Sequence, residues 1–132
     1  CAPCSSYVLE ELAEYFKITV FYYNPNIYSE REDTKRKVEQ QKLISEMHFK
    51  NSVSFLAGSE DKEQFYEMAK GLEEVKEGGE RCMKCYEMRL KKTAQKAAEG
   101  GFDFFTTTLS ISPMKNIVPS KVRCTCFYLT RP

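Results

Sequence analysis

Six cysteines, arranged as three close pairs, constrain this chain of 132 residues more than any other feature of its sequence. Two pairs have Cys-x-x-Cys spacing, Cys1/Cys4 and Cys82/Cys85, and a single residue separates Cys124 from Cys126. Paired thiolates at such spacings bind a soft metal or an iron–sulfur cluster, or they cycle between dithiol and disulfide. The pairs therefore predict a metal or redox centre, with structural zinc as the main alternative.

Length and composition narrow the class of protein. The length predicts one domain, and an apolar content of 42% fits a globular protein. A net charge of +1 gives no global attraction to nucleic acid, so any basic binding surface has to be local. No apolar run approaches the roughly 20 residues of a membrane span, and we expect no membrane partner. Six cysteines also suit a secreted disulfide framework, but the long charged helical segments favour a reducing cytoplasm.

Helices and strands are predicted to alternate along the chain. Residues 18–23, 53–56 and 102–107 are rich in β-branched and aromatic residues, as buried strands are. Helical periodicity covers residues 5–16, 29–47, 61–69 and 82–99. The alternation predicts an α/β fold, a Rossmann-like parallel sheet with flanking helices. Nothing apolar precedes Cys1, so we expect the first strand of that sheet to be missing.

Both Cys-x-x-Cys pairs are predicted at helix amino termini. Ser5 and Ser6 are good N-cap residues, which predicts that the first helix begins there, directly after Cys4. The positive end of a helix dipole stabilises a thiolate and lowers its pKa. The helix that begins with the second pair is predicted to bury one small apolar side, formed by Leu90, Ala94, Ala97 and Ala98.

One edge of the predicted sheet gathers the candidate functional segments. Ligands of open α/β sheets bind beyond the carboxyl ends of the strands. Cys1 and Cys4, residues 24–26 and residues 107–112 all follow real or inferred strands. We therefore expect the two Cys-x-x-Cys pairs to converge there, with sulfurs on the order of 6 Å apart if they share one four-iron core.

Several residues near the cysteines have two interpretations. Arg81, Lys84 and Arg89 flank the second pair, either as a solvated helix face or as charge compensation for an anionic cluster or a phosphate. The hydroxyl-rich segment 106–113 is either an ordinary turn or a binding site for phosphate or sugar. Tyr23 and Tyr86 either belong to the core or stack on a base.

The chain resembles the cobalamin-independent epoxyqueuosine reductase family, QueH, over residues 1–116. The matching stretches are Cys1-Ala2-Pro3-Cys4-Ser5, Tyr23-Asn24-Pro25-Asn26-Ile27, Gly71-Leu72-Glu73, Arg81-Cys82-Met83-Lys84-Cys85, Arg89-Leu90, Thr93-Ala94, Gly101-Phe102-Asp103, Phe105 through Pro113, and Lys115-Asn116. The resemblance implies an α/β iron–sulfur reductase domain at 1–116, as a fragment, and a divergent tail at 117–132.

The resemblance also implies an activity and its partners. The family is an oxidoreductase that reduces epoxyqueuosine to queuosine at the wobble position of tRNAs for Tyr, His, Asn and Asp. Its members use a [4Fe-4S] cluster, with a neighbouring mononuclear iron associated with the fold. The implied partners are the tRNA anticodon loop and an electron donor that the sequence does not identify.

The resemblance implies roles for the cysteines according to their positions in the matching motifs. Cys1, Cys82 and Cys85 match cluster ligands, and Cys4 matches a position suited to the adjacent iron. Cys124 and Cys126 have the spacing of the family's redox-active disulfide, although only residues 117–123 separate them from the segment matched above. The first cysteine of the family's adjacent pair is absent from this chain, so we expect it to bind a cluster poorly.

Contact with tRNA is assigned to four cations around the cysteines, Arg81, Lys84, Arg89 and Lys115.

Two alternatives to the reductase function stay open. One is a zinc-stabilised α/β module that binds nucleic acid without catalysis. The other is a thiol–disulfide oxidoreductase using Cys1 and Cys4, whose activity would survive the loss of Cys82.

Overall fold

The computed structural model describes residues 2–59, 61–76, 78–107 and 126–132, with side chains from Ser5 onward. These residues form four helices and four strands. In chain order they are α1 (Ala2–Ala13), β1 (Lys17–Tyr22), α2 (Glu30–Glu46), β2 (Val53–Ala57), α3 (Lys62–Ala69), α4 (Glu80–Glu99), β3 (Phe104–Thr107) and β4 (Cys126–Thr130).

The four strands form one sheet in the order β2-β1-β4-β3. Strand β2 is parallel to β1, whereas β4 is antiparallel to both of its neighbours, β1 and β3. Strands β1, β2 and β3 therefore share one direction and β4 alone runs the other way. The α/β prediction is confirmed, but the sheet is mixed, because a strand from the tail pairs in its centre.

Helices cover both faces of the sheet. On one face, α1 and α2 pack on the strands through a cluster that includes Val8, Leu9, Ile18, Val20 and Phe127. On the other face, α4 packs on Phe21, Tyr23, Cys126 and Tyr128 through Ala97 and Tyr86. Side chains alternate between the faces along β1 and β4, so both strands are buried on both sides.

Local sequence explains several element boundaries. Ser29 caps α2, because its Oγ accepts a hydrogen bond from the Glu32 backbone N–H at 3.4 Å. Acidic side chains fill the first turn of that helix, where the dipole favours them. Strand β2 ends at Ala57, before Gly58, as the sequence predicts.

Two helix predictions are wrong in detail. Helix α1 begins at Ala2, so Ser5 lies inside the helix and is fully buried instead of capping it. The buried side of α4 is formed by Arg89, Thr93 and Ala97, and of the predicted residues only Ala97 is buried. Polar residues occupy this stripe because it faces the carboxyl end of β1, where they have hydrogen-bonding partners.

Strand β3 also differs from its prediction as a buried strand. It begins at Phe104, and its Phe104 and Phe105 side chains are nearly half exposed. The reason is its position at the edge of the sheet, beside β4 only.

Within the described ranges, none of the helices combines the length and the apolar character needed to cross a membrane.

Candidate functional site

The amino end of α4 lies at the carboxyl edge of the strands. Arg89, in its third turn, contacts the backbone just after β1, and Thr93, one turn later, contacts Cys126, which pairs with Phe21. Helix α4 therefore runs antiparallel to β1, and Cys82 and Cys85 lie beyond the end of that strand. This is the edge at which the sequence predicted the ligand crevice.

Helix α1 reaches the same edge from the other face of the sheet. Its last carbonyl, that of Ala13, accepts a hydrogen bond at 3.2 Å from the Asn51 backbone N–H, just before β2 begins. The carboxyl end of α1 thus lies at the opposite edge, and its first residues lie at the carboxyl edge. The convergence of Cys1 and Cys4 on the second pair stays a prediction, because their side chains are outside the described residues.

Cys82 lies in the first turn of α4, where backbone N–H groups point toward a negative charge. Its Sγ accepts a hydrogen bond from the Gly78 backbone N–H at 3.3 Å. Gly78 has φ of 94°, a conformation that glycine adopts without strain, and it helps to turn the chain into the helix. The position in the first turn of the helix and the Gly78 hydrogen bond both stabilise negative charge on the Cys82 sulfur.

Cys85 lies one turn further along and is partly buried. Burial raises the pKa of its thiol, while the Arg89 guanidinium opposes that shift by its charge and a hydrogen bond, and the neighbouring Cys82 adds to it. The net pKa of the Cys85 thiol is above its ordinary value, although Arg89 supplies positive charge beside the sulfur. A bound metal cation would be required to convert both thiols to thiolate ligands.

Arg89 is buried, and this corrects its assignment to an exposed, tRNA-binding surface. Its Nε donates to the Tyr23 carbonyl at 3.2 Å, and its Nη2 donates to Asn24 Oδ1 at 2.7 Å. These bonds fix the segment after β1 against α4. Its burial excludes a solvated helix face for Arg89, and charge compensation for an anionic cluster or a phosphate stays a prediction.

Asp61 organises a second set of polar groups beside the cysteines. Its Oδ2 accepts hydrogen bonds from the Tyr23 hydroxyl at 3.0 Å and Ser59 Oγ at 2.9 Å, and it pairs with Lys92 Nζ at 2.9 Å. Burial raises the pKa of Asp61, but the Lys92, Ser59 and Tyr23 bonds lower it more, so the net pKa is below the ordinary value. Tyr23 is thereby held in one orientation.

Tyr23 is enclosed from the other side by Gly58. A Cβ atom at position 58 would lie 2.8 Å from Tyr23 Cδ2, closer than real contacts allow. Burial, the Asp61 hydrogen bond and the Asp61 charge all raise the pKa of Tyr23, so the phenol stays protonated. The Tyr23 ring therefore packs in the core, and its hydroxyl belongs to the Asp61 hydrogen-bond network. This agrees with the interpretation of Tyr23 as a core residue.

A shallow pocket adjoins Tyr23 beyond the ends of β1 and β2. It is lined by Tyr22, Asn24, Asp33, Lys37 and Lys62, among others. The Tyr22 hydroxyl donates to Asp33 Oδ1 at 3.1 Å, and Lys37 Nζ pairs with Asp33 Oδ2 at 2.7 Å. The carboxyl edge thus offers both cations and hydrogen-bonding groups in this pocket.

Arg81 and Lys84 are the predicted cations that remain accessible. Arg81 Nη1 donates to the Glu73 carbonyl at 3.1 Å, and Lys84 pairs with Glu80 at 2.9 Å. Both bonds involve exposed groups, which salt and solvent weaken. Lys115 and most of the hydroxyl-rich segment 106–113 lie outside the described residues.

Cys126 occupies a different environment from Cys82 and Cys85. It is the first residue of β4 and is buried, and Thr93 Oγ1 lies 3.4 Å from its Sγ. Cys124 lies outside the described residues, so the redox pairing of Cys124 with Cys126 stays a prediction.

The chemistry of the described donor groups decides which kind of metal centre they could hold. The described residues contain no group of three or more Cys, His, Asp or Glu side chains placed to hold a metal ion. Cys82 and Cys85 supply two sulfur donors with an N–H group and a guanidinium beside them. Such an environment fits a soft, anionic iron–sulfur or zinc thiolate centre that takes its other ligands from elsewhere.

The sequence did not identify Asp61 or Lys92 as site residues. It also did not indicate that Arg89 is buried and bonded to Tyr23 and Asn24. One signal was available: Cys85, Arg89 and Thr93 recur at i, i+4 and i+8, which places them on one side of a helix. Asp61 precedes a helical segment, but its use by Tyr23 and Lys92 depends on contacts between residues distant in sequence.

Comparison with known proteins adds independent findings. A family model described as epoxyqueuosine reductase QueH matches residues 1–128. The chain is 46% identical over 118 residues to the protein named epoxyqueuosine reductase QueH from Streptococcus pyogenes serotype M1, covering 88% of this chain and 46% of that protein. No solved structure matches significantly.

Two staphylococcal proteins of the same name show similar agreement. Identity is 40% to the one from Staphylococcus epidermidis and 37% to the one from Staphylococcus aureus, each over 120 residues that cover 88% of this chain and 50% of the relative. The chain thus spans about half the length of these curated relatives. Because the family model matches residues 1–128 and the relatives share these identities, the chain belongs to the epoxyqueuosine reductase QueH family.

Proposed function

We propose that this chain carries the cysteine centre of an enzyme that reduces epoxyqueuosine to queuosine at the wobble position of tRNAs for Tyr, His, Asn and Asp. The observation that carries the proposal is the arrangement at the amino end of α4. There the Gly78 N–H bonds Cys82 Sγ at 3.3 Å, and Arg89 lies beside Cys85. The family membership supplies the reaction.

The proposed cofactor is a [4Fe-4S] cluster held by Cys1, Cys82 and Cys85, with Cys4 as ligand of an adjacent mononuclear iron. When bound, the cluster supplies electrons one at a time at low potential. The N–H bond to Cys82, the helix amino terminus and the Arg89 charge each offset negative charge on thiolate ligands. These three features support the assignment of Cys82 and Cys85 as ligands.

The reaction to be supported is the removal of one oxygen atom. Both C–O bonds of the epoxide break, a carbon–carbon double bond forms, and the oxygen takes two electrons and two protons and leaves as water. A protein performing this step needs a protected pocket and protonated groups near the oxygen. The Tyr23 hydroxyl, which is held by Asp61 and interacts electrostatically with Cys85, is the proposed protonated group, and Lys92 pairs with the same Asp61 carboxylate.

Substrate access requires the wobble base to leave the anticodon stack. Single-stranded RNA loops allow bases to be splayed into a protein pocket. A shallow depression near Tyr23, Asn24 and Lys37 marks the proposed place of contact with the base, and it would have to open further to admit one. Arg81 and Lys84, together with Lys115, are the proposed phosphate contacts, since binding by local cations does not require a high net charge.

Cys124 and Cys126 are the proposed dithiol that returns electrons to the centre from the unidentified donor. Thiol–disulfide exchange needs the attacked sulfur to be accessible. Since Cys126 is buried at the start of β4, thiol–disulfide exchange at Cys126 requires this end of the strand to separate from the sheet.

The test is a reaction of anaerobically reconstituted protein with tRNA that contains epoxyqueuosine, in the presence of a chemical reductant. Nucleosides from the digested tRNA are then separated and identified by mass. The proposal expects a low yield of queuosine, which lacks one oxygen, because the chain is expected to bind a cluster poorly, and it expects complete loss of queuosine in Cys82→Ser and Cys85→Ser. Met83→Ala, which truncates an exposed side chain between them, is the control and should keep the activity.

Two results would contradict the proposal and point to an alternative. Zinc bound in place of iron, with tRNA binding but no queuosine, would favour the nucleic-acid-binding module. Reductase activity that survives Cys82→Ser but not Cys4→Ser would favour a thiol–disulfide oxidoreductase.

A further inference from the structure

The carboxyl edge holds a buried carboxylate, Asp33, to which the proposed reaction assigns no role. Tyr22 and Tyr23 are consecutive, so their side chains leave the end of β1 on opposite faces of the sheet. Tyr23 reaches Asp61 on the α4 face, whereas the Tyr22 hydroxyl donates to Asp33 Oδ1 at 3.1 Å on the α2 face. Lys37 Nζ pairs with the other carboxylate oxygen of Asp33, Oδ2, at 2.7 Å. Donors thus hold Asp33 at both of its oxygens.

A chain of hydrogen bonds fixes the direction in which this carboxylate is used. Arginine can only donate, so the bond from Arg89 Nη2 at 2.7 Å makes Asn24 Oδ1 the acceptor and leaves the Asn24 amide nitrogen to donate. Burial and the Asp33 charge raise the pKa of Tyr22, so the phenol stays protonated. A side-chain hydrogen bond with Asn24 lowers the Tyr22 pKa by less. The donors in this chain therefore point toward Asp33, which accepts.

Asp33 keeps acceptor capacity for a ligand. A carboxylate offers about four lone-pair sites, and Tyr22 and Lys37 use one each. Asp33 is 7% exposed, and it lines the shallow depression beyond the ends of β1 and β2, together with Asn24 and Lys62. A nearly buried acceptor at a binding surface selects its ligands strongly, because a ligand without matching donors leaves the acceptor unpaired.

The nucleobases differ in the donors that their edges offer to a carboxylate. The Watson–Crick edge of guanine has two adjacent donors, N1–H and the 2-amino group, next to the O6 acceptor. Adenine and cytosine offer an amino donor next to a ring acceptor, and uracil offers an N–H group between two acceptors. The paired oxygens of a carboxylate therefore match guanine best, and the ammonium groups of Lys37 and Lys62 suit O6. A shallow depression can hold such an edge without enclosing the whole ring system.

We propose that Asp33 reads the wobble base through this edge, by accepting hydrogen bonds from N1–H and the 2-amino group. The proposal rests on the proposed function, because it takes the depression as the place of contact with the base. Epoxyqueuosine is a 7-substituted 7-deazaguanosine and retains the Watson–Crick edge of guanine. Its five-membered ring carries the epoxide-bearing substituent away from N1 and the 2-amino group, so binding of the edge leaves that substituent unobstructed. Asp33 is thereby assigned as a specificity-determining residue.

Binding of labelled anticodon stem-loops, followed by fluorescence anisotropy, tests how the base is read. The loops are identical except at the wobble position, which holds guanosine, adenosine or inosine, the last of which lacks the 2-amino group. The natural chain should bind the guanosine loop roughly tenfold more tightly than the inosine loop, the effect of one lost hydrogen bond to a charged acceptor. Since none of the loops carries an epoxide, the comparison reports on the edge of the base and not on the reaction.

Variants at position 33 assign the preference to the carboxylate. Asp33→Asn should reverse it in favour of adenosine, because a side-chain amide matches the donor and the acceptor of an adenine edge. Unfolding cannot produce such a gain. Asp33→Glu keeps a carboxylate but displaces it by one methylene, and it should reduce the preference for guanosine without creating one for adenosine. Glu30→Gln removes a carboxylate from the first turn of α2 outside the depression, and as the matched control it should keep the natural preference.

The outcomes separate this proposal from the proposed reaction. Equal affinity for the guanosine and inosine loops, or binding of neither, would overturn the reading of the base by Asp33. A guanosine preference that is unchanged in both Asp33 variants would also overturn it. Failure of the proposed reaction is a different result, because it appears as absent queuosine while the guanosine preference persists.

Discussion

Arg89 Nη2 lies 2.7 Å from Asn24 Oδ1, and this hydrogen bond joins the cysteine-bearing helix α4 to the segment that follows β1. The same guanidinium bonds the Tyr23 carbonyl and lies beside Cys85. One buried side chain thus connects the fold of the carboxyl edge to the electrostatics of the cysteines. Its removal should affect both.

Replacing Arg89 by methionine should lower the free energy of unfolding by about 3 kcal/mol, because buried acceptors on Tyr23 and Asn24 lose a charged donor. Urea unfolding followed by circular dichroism measures the change. Lys91→Met is the control, since Lys91 is exposed and pairs with Glu87 at the surface. A loss no larger than that of the control would show that the Arg89 bonds contribute little.

Asp61→Asn should remove a pH-dependent part of the stability. The pKa of Asp61 in the folded protein is below its ordinary value of 3.8, so its contribution is complete above that value and disappears as pH falls through the folded pKa. The stability difference between the natural chain and the variant should therefore be constant near neutral pH and shrink as the pH falls below about 4. Glu46→Gln, at an exposed surface pair, should show no comparable trend. A difference independent of pH would contradict the Asp61 network.

Gly58→Ala should destabilise the protein by about 1 to 3 kcal/mol, because the added methyl group would lie 2.8 Å from the Tyr23 ring. Thermal unfolding of the single variant and of Gly58→Ala combined with Tyr23→Ala measures the coupling. The methyl group should cost little once the ring is gone. Equal costs in the two backgrounds would show that the ring does not enforce glycine here.

Arg81→Ala and Lys84→Ala should each weaken tRNA binding and reduce the slope of log K against log salt by roughly 0.7 to 0.9, the value of one phosphate contact. Binding titrations over a range of salt concentrations measure the slope. Lys42→Ala removes a more exposed charge from α2 and should leave the slope unchanged. If all three variants behave alike, the cations beside the cysteines do not form the RNA surface.

Local sequence patterns predicted the elements whose partners are nearby in the chain. Strand β1, the Ser29 cap of α2 and the end of β2 before Gly58 follow from β-branched runs, a capping side chain and a glycine. The buried side of α4 was wrong because Arg89 and Thr93 are buried only through contacts with Tyr23, Asn24 and Cys126.

The place of β4 was not predictable from local pattern either. Cys126–Thr130 is an apolar, aromatic segment suited to a strand, but its pairing with Lys17–Tyr22 joins residues more than a hundred positions apart. The Asp61 network likewise depends on distant partners, Tyr23 and Lys92. Such contacts are set by the whole fold, whereas propensity and periodicity report only neighbouring residues.

The central claim is that Cys82 and Cys85 hold an iron–sulfur centre, and metal analysis with electron paramagnetic resonance tests it most directly. The chain, Cys82→Ser, Cys85→Ser and the buried-site control Cys126→Ser are reconstituted anaerobically with iron and sulfide, then reduced with dithionite. Because the chain lacks the first cysteine of the family's adjacent pair, we expect a small but measurable reduced-cluster signal with matching iron and sulfide in the chain and the control. Both should be lost in the two α4 variants. Iron and signal retained after either α4 substitution, or bound zinc with no signal in any sample, would contradict it.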